Sequence, residues 1–323
     1  MSNAIKVSAS TILWNHQLRH LLMLKRGPTA KFMPNTYVFP GGLAESSSDF
    51  SFPVDLTNYT SVDNTKIIPK GLSSDLPLRI CSLRETFEET GLLFVSDKAN
   101  SQKEVLSTLK DDSLKKMQEK IKNKPSLFKD LFKDFIADVG ALIPWAMWRT
   151  PTSYPTRYTT VFYVLNVDED YKIDLCEKEM QNYFWKKPSD IIEGASGKII
   201  LPPPQYYEIM RIRLAGDMDL SLMTDPTLIC PQVYKTIDEP KKIVTIMPGD
   251  NMYIKNMEES LKVTNNEISW KDLNMDDNKK TMHRLIYDTK PIYANVELLI
   301  KNIKESNKKS LHLFYYAPKN KWA

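Results

Sequence analysis

An α+β fold built on a mixed sheet is what the 323-residue chain predicts, on three observations: an alternating N-terminal hairpin, an amphipathic helix that stops at Gly91, and a strong strand at 157–167. Residues 5–14 (IKVSASTILW) and 19–26 (RHLLMLKR) alternate or run apolar in short stretches, so they read as two strands joined by a turn at Asn15–Gln17. Tyr37–Pro40 (YVFP) is a third short strand, ending in a tight turn at Gly41-Gly42. Residues 50–77 are polar and turn-rich without a helical period, the pattern of an inserted loop. From Pro77 onward Leu78, Ile80, Cys81, Leu83, Phe87 and Leu92 share one side of a helix, with Gly91 at its C-terminal cap.

Farther along, the pattern predicts a charged, solvated helix over about 101–122 and a more apolar helix over Phe128–Ile143. The clearest strand, 157–167 (RYTTVFYVLNV), follows, and residues 179–193 hold a strand ending at Trp185 and a short helix. Pro202-Pro203-Pro204 breaks structure before a helix at 205–215, and the tail carries strands at 242–247, 282–287 and 311–316. The expected assembly is a catalytic core over 5–215, with 50–77 as its insertion loop, and a C-terminal extension with short strands over 216–323.

Composition narrows the function classes. A net charge of +4 can help to hold an anionic substrate but is far from the basic stripe of a dedicated nucleic-acid binder. Cys81, Cys176 and Cys230 are widely spaced, which argues against a disulfide framework or a CxxC metal site and favours an intracellular, reducing compartment. His16 and His20 have an i, i+4 spacing, but no HExxH glutamate accompanies them and they flank a hairpin turn, so they read as structural or solvated. The start, Met1-Ser-Asn-Ala, leads directly into a strand, and no apolar run approaches the ~18 residues needed to cross a bilayer. A soluble protein with no membrane association is expected.

The chemistry concentrates in Arg84-Glu85-Thr86-Phe87-Glu88-Glu89-Thr90-Gly91-Leu92. On a helix Glu85, Glu88 and Glu89 fall at i, i+3 and i+4, so three carboxylates converge on one face. Their repulsion would destabilise the helix unless hard divalent cations, Mg²⁺ or Mn²⁺, relieve it, and such ions bind alongside substrate phosphates. Arg84 can pair with one carboxylate and fix its rotamer.

This segment resembles the second half of the Nudix box, G-x5-E-x7-R-E-U-x-E-E-x-G-U with U aliphatic; Thr86 departs from it at the first U. Phe39-Pro40-Gly41-Gly42 resembles its start, but Gly42 stands 42 positions before Arg84 where the pattern sets 14, so about 28 residues are inserted. An interrupted box is similar to that of the animal coenzyme A diphosphatases of the Nudix motif 19 group. Leu22–Gly42, Arg79–Leu93, Trp148-Arg149-Thr150-Pro151 and Leu201–Glu208 (LPPPQYYE) look like that branch as well.

The resemblance implies a Nudix α/β/α sandwich and a metal-dependent hydrolase of diphosphates. Glu85, Glu88 and Glu89 would hold the metals, the Gly42 carbonyl could add a ligand, and Arg84 would orient Glu85. A later acidic ligand is expected shortly before a Trp, which makes Glu179 the first candidate and Glu177 the second. The box's first glutamate falls at Ser48; Glu45 or Asp49 could substitute for it, and the general base is Glu85 or one of these loop acids. Lys25, Arg26, Arg149 and Arg157 are candidates to pair with substrate phosphates. Phe32, Met33, Trp145, Trp148 and Tyr158 are candidates to line a pantetheine-arm site, with a packed core as the simpler reading.

The implied substrate is a small nucleotide, coenzyme A or its acyl esters. ADP-ribose, dinucleotides or capped RNA stay open as alternative substrates, and a non-catalytic Nudix-fold binding module as an alternative class. The same branch implies a peroxisome, but Lys321-Trp322-Ala323 does not match a Ser-Lys-Leu-like signal, which keeps the cytoplasm in view. No oligomeric state follows from the sequence.

Overall fold

A computed structural model of the chain describes residues 5–30, 33–60, 67–176, 178–225, 227–256 and 266–302. The expected strand at 311–316, Phe32, Glu177 and the terminal Lys321-Trp322-Ala323 lie outside the described residues. The chain separates into two compact units, one formed by the described residues of 6–147 and 159–187, the other by those of 148–158 and 188–302 together with residue 5. By this division 188–215, read from the sequence with the core, cluster with the C-terminal residues. None of the helices among the described residues is long and apolar enough to cross a membrane.

In the first unit, β1 (Lys6–Asn15) and β2 (His20–Arg26) form the expected antiparallel hairpin, with Trp14 opposite Leu21. β3 (Tyr37–Val38) pairs with β2, and β4 (Gly41–Leu43) pairs antiparallel with β1, Ala9 opposite Gly42. The glycines therefore lie inside a strand instead of forming a turn. Side-chain room explains them: a Cβ at Gly41 would fall 2.4 Å from the Ala9 carbonyl oxygen, and one at Gly42 2.4 Å from the Glu85 carboxyl carbon.

Helix α1 (Leu76–Thr90) starts with Pro77 in its first turn, where the missing N–H has no intrahelical partner to lose. It ends at Gly91, whose φ of 72° and N–H bond to the Phe87 carbonyl make a left-handed cap. Leu78, Ile80, Cys81, Leu83 and Phe87 are buried as expected. Thr86, the departure from the aliphatic pattern, is also fully buried; its hydroxyl donates to the Ser82 carbonyl at 2.7 Å and lies 2.8 Å from the Thr11 hydroxyl of β1. Thr86, Thr11 and Ser82 thus form a polar seam between α1 and the sheet.

After α1 come β5 (Leu92–Asp97), β6 (Lys103–Ser107), α2 (Asp112–Asn123), β7 (Phe135–Ala137), β8 (Ile143–Arg149), β9 (Tyr158–Val167) and β10 (Met180–Lys186). The main sheet of this unit runs β10-β2-β1-β9-β8, and β6-β5-β7 make a separate antiparallel sheet.

Two expected helices are corrected. Residues 101–107 are not helical, because the Asp97 carboxylate accepts the Ala99 and Asn100 N–H groups in a tight turn that folds β6 back along β5. The helix begins only where Asp111 caps it by accepting from Ser113 and Leu114. Over 128–143 the chain forms a 3-10 turn (Pro125–Leu131), β7, a second 3-10 turn and the start of β8. The apolar residues there are drawn to two partners: Phe128 and Phe132 pack on Phe52 and Phe87, and 135–137 pair with the edge of β5.

The inserted stretch 50–77 is irregular, as expected, but it is tied down by buried contacts. Phe52 lies in the aromatic cluster, Asn58 bonds Asp138 and the Gly140 N–H, and the Tyr59 hydroxyl donates to Asp75. Asp75 in turn receives Arg79 Nε at 2.7 Å, both side chains being buried, and Arg79 Nη1 reaches the Val139 and Leu142 carbonyls.

The second unit holds α3 (Pro188–Gly194), α4 (Pro203–Ala215) and the strands β11 (Leu228–Ile229), β12 (Gln232–Thr236), β13 (Lys242–Ile246), β14 (Glu267–Ile268), β15 (Met282–Asp288) and β16 (Glu297–Lys301). α4 begins two residues before the expected 205, with Pro203 and Pro204 in its first turn. A five-stranded sheet, β14-β12-β13-β15-β16, encloses a core of Val244, Ile246, Leu273 and Ile286. The sequence reading found β13 and β15 and missed β12 and β16 between which they pair.

Replacing Asp75 by Asn leaves Arg79 charged and buried without its counter-ion. Urea unfolding followed by tryptophan fluorescence should show a loss of about 3–5 kcal/mol, as breaking a buried pair does, and the paired replacement D75L/R79M should lose less.

Candidate active site

Arg84 organises the acidic face of α1. It is 1% exposed, and a guanidinium has five N–H bonds to satisfy. Nε and Nη2 donate to the two carboxylate oxygens of Asp49, each at 2.9 Å, and Nη2 also donates to the Leu43 carbonyl at 2.9 Å. Nη1 donates to Glu85 Oε1 at 2.9 Å and Glu88 Oε1 at 2.8 Å. All five donors are used. Burial alone would lower the Arg84 pKa, but the Asp49 hydrogen bonds and the Glu85 charge outweigh it and hold the group protonated.

The carboxylates are crowded and poorly compensated. Burial pushes the Glu85 pKa up to about 8; Arg84 opposes this and the neighbouring Glu88 charge adds to it. Burial also raises Glu88, with Arg84 opposing and Glu179 adding. Glu89 is raised well above the usual carboxylate range by burial, then by Glu85 and Glu179, while the Gly41 N–H, which donates to its Oε2 at 3.0 Å, and the Arg26 charge pull it down.

Glu179 thus acts on both Glu88 and Glu89, as a fourth carboxylate of the group. A turn places it: its N–H bonds the Cys176 carbonyl and its own carbonyl accepts from Gly27 N–H, setting it just ahead of β10. The Glu85 carboxylate packs directly on Gly42, whose carbonyl accepts from the Cys81 thiol at 3.5 Å.

Two of the four basic candidates lie in this unit. Arg26 ends β2 opposite Met180, and its buried Nε has no hydrogen-bond partner among the described residues. Lys25 lines a cavity of about 480 Å³ with Met180, Gln181 and Asn182. The β10–β2 register shifts between Met180 and Asn182 beside that cavity. Arg149 and Arg157 belong to the other unit, where Arg157 donates to the Thr150 carbonyl and lies 3.7 Å from Cys230 Sγ. Of the apolar candidates, Trp145 and Trp148 are buried, and Trp148 Nε1 donates to Glu208 at 2.6 Å.

The loop acids separate. Asp49 is fully enclosed on Arg84, Glu45 is exposed, and the buried Ser48 donates to the Pro125 carbonyl. One supporting residue was missed: Gln118 of α2, fully buried, donates from Nε2 to the Phe87 and Glu88 carbonyls at 3.0 and 3.1 Å. It satisfies carbonyls in the last turn of α1. Only the helical period of 112–123, with Leu114, Gln118 and Ile121 on one side, could have signalled it.

Among the described residues no three acidic, histidine or cysteine side chains converge as a ready-made metal cage, and Arg84 Nη1 lies between Glu85 and Glu88. The donor set still fits a hard cation. Glu85, Glu88, Glu89 and Glu179 offer oxygen only, and Mg²⁺ or Mn²⁺ is commonly held by one or two carboxylates together with water and substrate phosphate oxygens.

An acidic helix locked by one arginine against a glycine strand, in an α+β fold, defines the class, and the comparisons with known proteins agree. The chain belongs to the Nudix hydrolase family, a family of pyrophosphohydrolases. Within it the chain is NUDT19-like: residues 53–212 match the NUDT19 Nudix domain. It is 36% identical to the Caenorhabditis elegans protein named "Putative nudix hydrolase 7", over 97% of this chain and 96% of that one. To the Xenopus laevis acyl-coenzyme A diphosphatase NUDT19 it is 29% identical, over 72% and 71% of the two chains. Among solved structures, a Nudix hydrolase from Alicyclobacillus acidocaldarius matches in fold with a TM-score of 0.54 and 21% identity, covering 66% of this chain and 92% of that one.

The raised Glu85 pKa has a stability consequence. Folded protein holds its proton more tightly than unfolded chain, so the stabilisation is full below the ordinary glutamate pKa of about 4.3 and is lost as pH rises through about 8. Thermal melts in chelator should therefore show a falling midpoint from pH 5 to pH 8, and Glu85→Gln should flatten that slope.

Proposed function

We propose that this chain is a divalent-metal-dependent hydrolase of coenzyme A diphosphates, converting coenzyme A or an acyl-coenzyme A to 3′,5′-ADP and 4′-phosphopantetheine or its acyl derivative. The observation that carries the reading is the group of four carboxylates, Glu85, Glu88, Glu89 and Glu179, against Gly41-Gly42, whose charge Arg84 and Arg26 offset in part. Frog and human relatives named acyl-coenzyme A diphosphatase support the substrate class.

Glu85, Glu88, Glu89 and Glu179 would hold the cation, Mg²⁺ or Mn²⁺, and the Gly42 carbonyl is a further oxygen beside Glu85. A cation bound there supplies charge neutralisation at the diphosphate and acidifies a water.

The chain's own residues do the rest. Arg84 ties one oxygen each of Glu85 and Glu88, which holds both rotamers before substrate arrives. Glu85, whose carboxylate lies against Gly42 with one oxygen held by Arg84, would take a proton from the attacking water. The water oxygen then bonds to one phosphorus, the bond from that phosphorus to the bridging oxygen breaks, and the other phosphate leaves. Arg26 and Lys25 would pair with substrate anions, and we keep Arg149 and Arg157 as further candidates in the other unit. The compartment reading remains that of the resemblance, peroxisome or cytoplasm.

The test is a substrate panel with Mg²⁺ and with Mn²⁺, products resolved by mass: coenzyme A, an acyl-coenzyme A, ADP-ribose and a dinucleoside polyphosphate. Metal-dependent release of 3′,5′-ADP is expected, with a drop of about 100-fold or more in kcat for Glu88→Gln. Preference for ADP-ribose or the dinucleotide would keep the chemistry and replace the substrate. No turnover of any of them by folded, metal-supplied protein would favour a binding module.

A further inference from the structure

The interrupted box has no glutamate at its usual place. Ser48 stands there, buried and bonded to the Pro125 carbonyl. The next residue, Asp49, has no exposed side-chain surface and spends both oxygens on Arg84: Oδ1 on Nε and Oδ2 on Nη2, each at 2.9 Å. Its Oδ2 also accepts the Glu45 N–H at 2.8 Å. A carboxylate so enclosed has no path to an attacking water.

What Asp49 controls is the direction of the guanidinium. With Nε and one edge of Nη2 locked, only Nη1 faces the acidic group, and it takes one oxygen from Glu85 and one from Glu88. The Oε2 atoms of both glutamates accept no hydrogen bond from the described residues. An arginine released from Asp49 could instead fork onto both oxygens of one glutamate, the arrangement that guanidinium and carboxylate favour. It would then compete with a cation for the same ligands.

We propose that Asp49 is a positioning residue that stands in for the box's missing glutamate: by fixing Arg84 from the far side of the insertion it keeps Glu85 and Glu88 each with one oxygen free for a divalent cation. This rests on the metal-dependent reading of the site, so its test reads the cation directly. Mn²⁺ alone is titrated into the full chain and followed by electron paramagnetic resonance, with circular dichroism as the check on folding.

Asp49→Asn should weaken Mn²⁺ binding about 10-fold and lower kcat about 10- to 100-fold, the range seen when a ligand-orienting partner is removed. KM should change by less than about 3-fold, because ground-state contacts to substrate are untouched. Asp49→Glu keeps the charge and the fork and should return Mn²⁺ affinity at least part of the way. In the double variant D49N/R84K the two effects should not add, since both remove one and the same arrangement.

Unchanged Mn²⁺ affinity in Asp49→Asn, or additive losses in the double variant, would overturn the proposal; so would a wild-type chain that binds no Mn²⁺. A wild-type chain that binds Mn²⁺ and hydrolyses no coenzyme A ester removes the substrate reading alone, because the Mn²⁺ comparison needs no substrate.

Discussion

The pairing of Arg84 with Asp49 is the contact on which the rest of the acidic site depends. Taking a guanidinium out of water costs several kcal/mol unless every donor finds an acceptor and a counter-charge lies close. Asp49 supplies the charge, and with Leu43, Glu85 and Glu88 it completes the five bonds. The charge balance that results is instructive. Asp49 neutralises Arg84, so Glu85, Glu88, Glu89 and Glu179 are left with little but Arg26 to offset them. Burial is the main reason all three helix glutamates hold their protons more tightly than usual, and the neighbouring carboxylates add to it.

The same logic explains why the site sits where it does. Gly41 and Gly42 let β4 close onto β1 and α1 at a distance that any side chain would block. Gly41 donates its N–H to Glu89 and Gly42 presents bare backbone to Glu85, so one dipeptide sets two carboxylates. Gln118 and the Gly91 cap hold the far end of the helix by satisfying its last carbonyls. Helix α1 is thus fixed at its start by Asp75 and Arg79, in its middle by Asp49, and at its end by Gln118.

Much of this was legible in the sequence because it is local. A helix that repeats every 3.6 residues puts Glu85, Glu88 and Glu89 together regardless of the rest of the chain, and Gly91 marks its end by backbone conformation alone. What was not legible depends on partners far along the chain. The segment 103–107 is a strand only because β5 offers it an edge, and Phe128 and Phe132 leave a helical path because Phe52, some 76 residues earlier, completes their cluster. Likewise β12 and β16 are short and weakly patterned, and they gain their hydrogen bonds from partners elsewhere in the sheet, β13 and β14 for one and β15 for the other. Asp49 was visible as an acid near the right place, but its partner lies 35 residues away, and sequence spacing could not decide between a base and an anchor.

The insertion raises the question of how a catalytic motif survives being cut. Chain continuity is not what holds the two halves of the box in register here. Three sets of bonds cross the gap between 49 and 75: Asp49 and Leu43 to Arg84, Gly41 to Glu89, and the Cys81 thiol to Gly42. Closing a longer loop adds only a slowly growing entropic cost, about 0.6 kcal/mol for each doubling of its length. The inserted residues offset that cost with packing of their own: Phe52 in the aromatic cluster, Asn58 on Asp138, and Tyr59 on the Asp75 that begins α1. A box joined by side chains instead of by a short loop can therefore accept an excursion between its halves. The excursion in turn becomes part of the support beneath the helix that carries the glutamates.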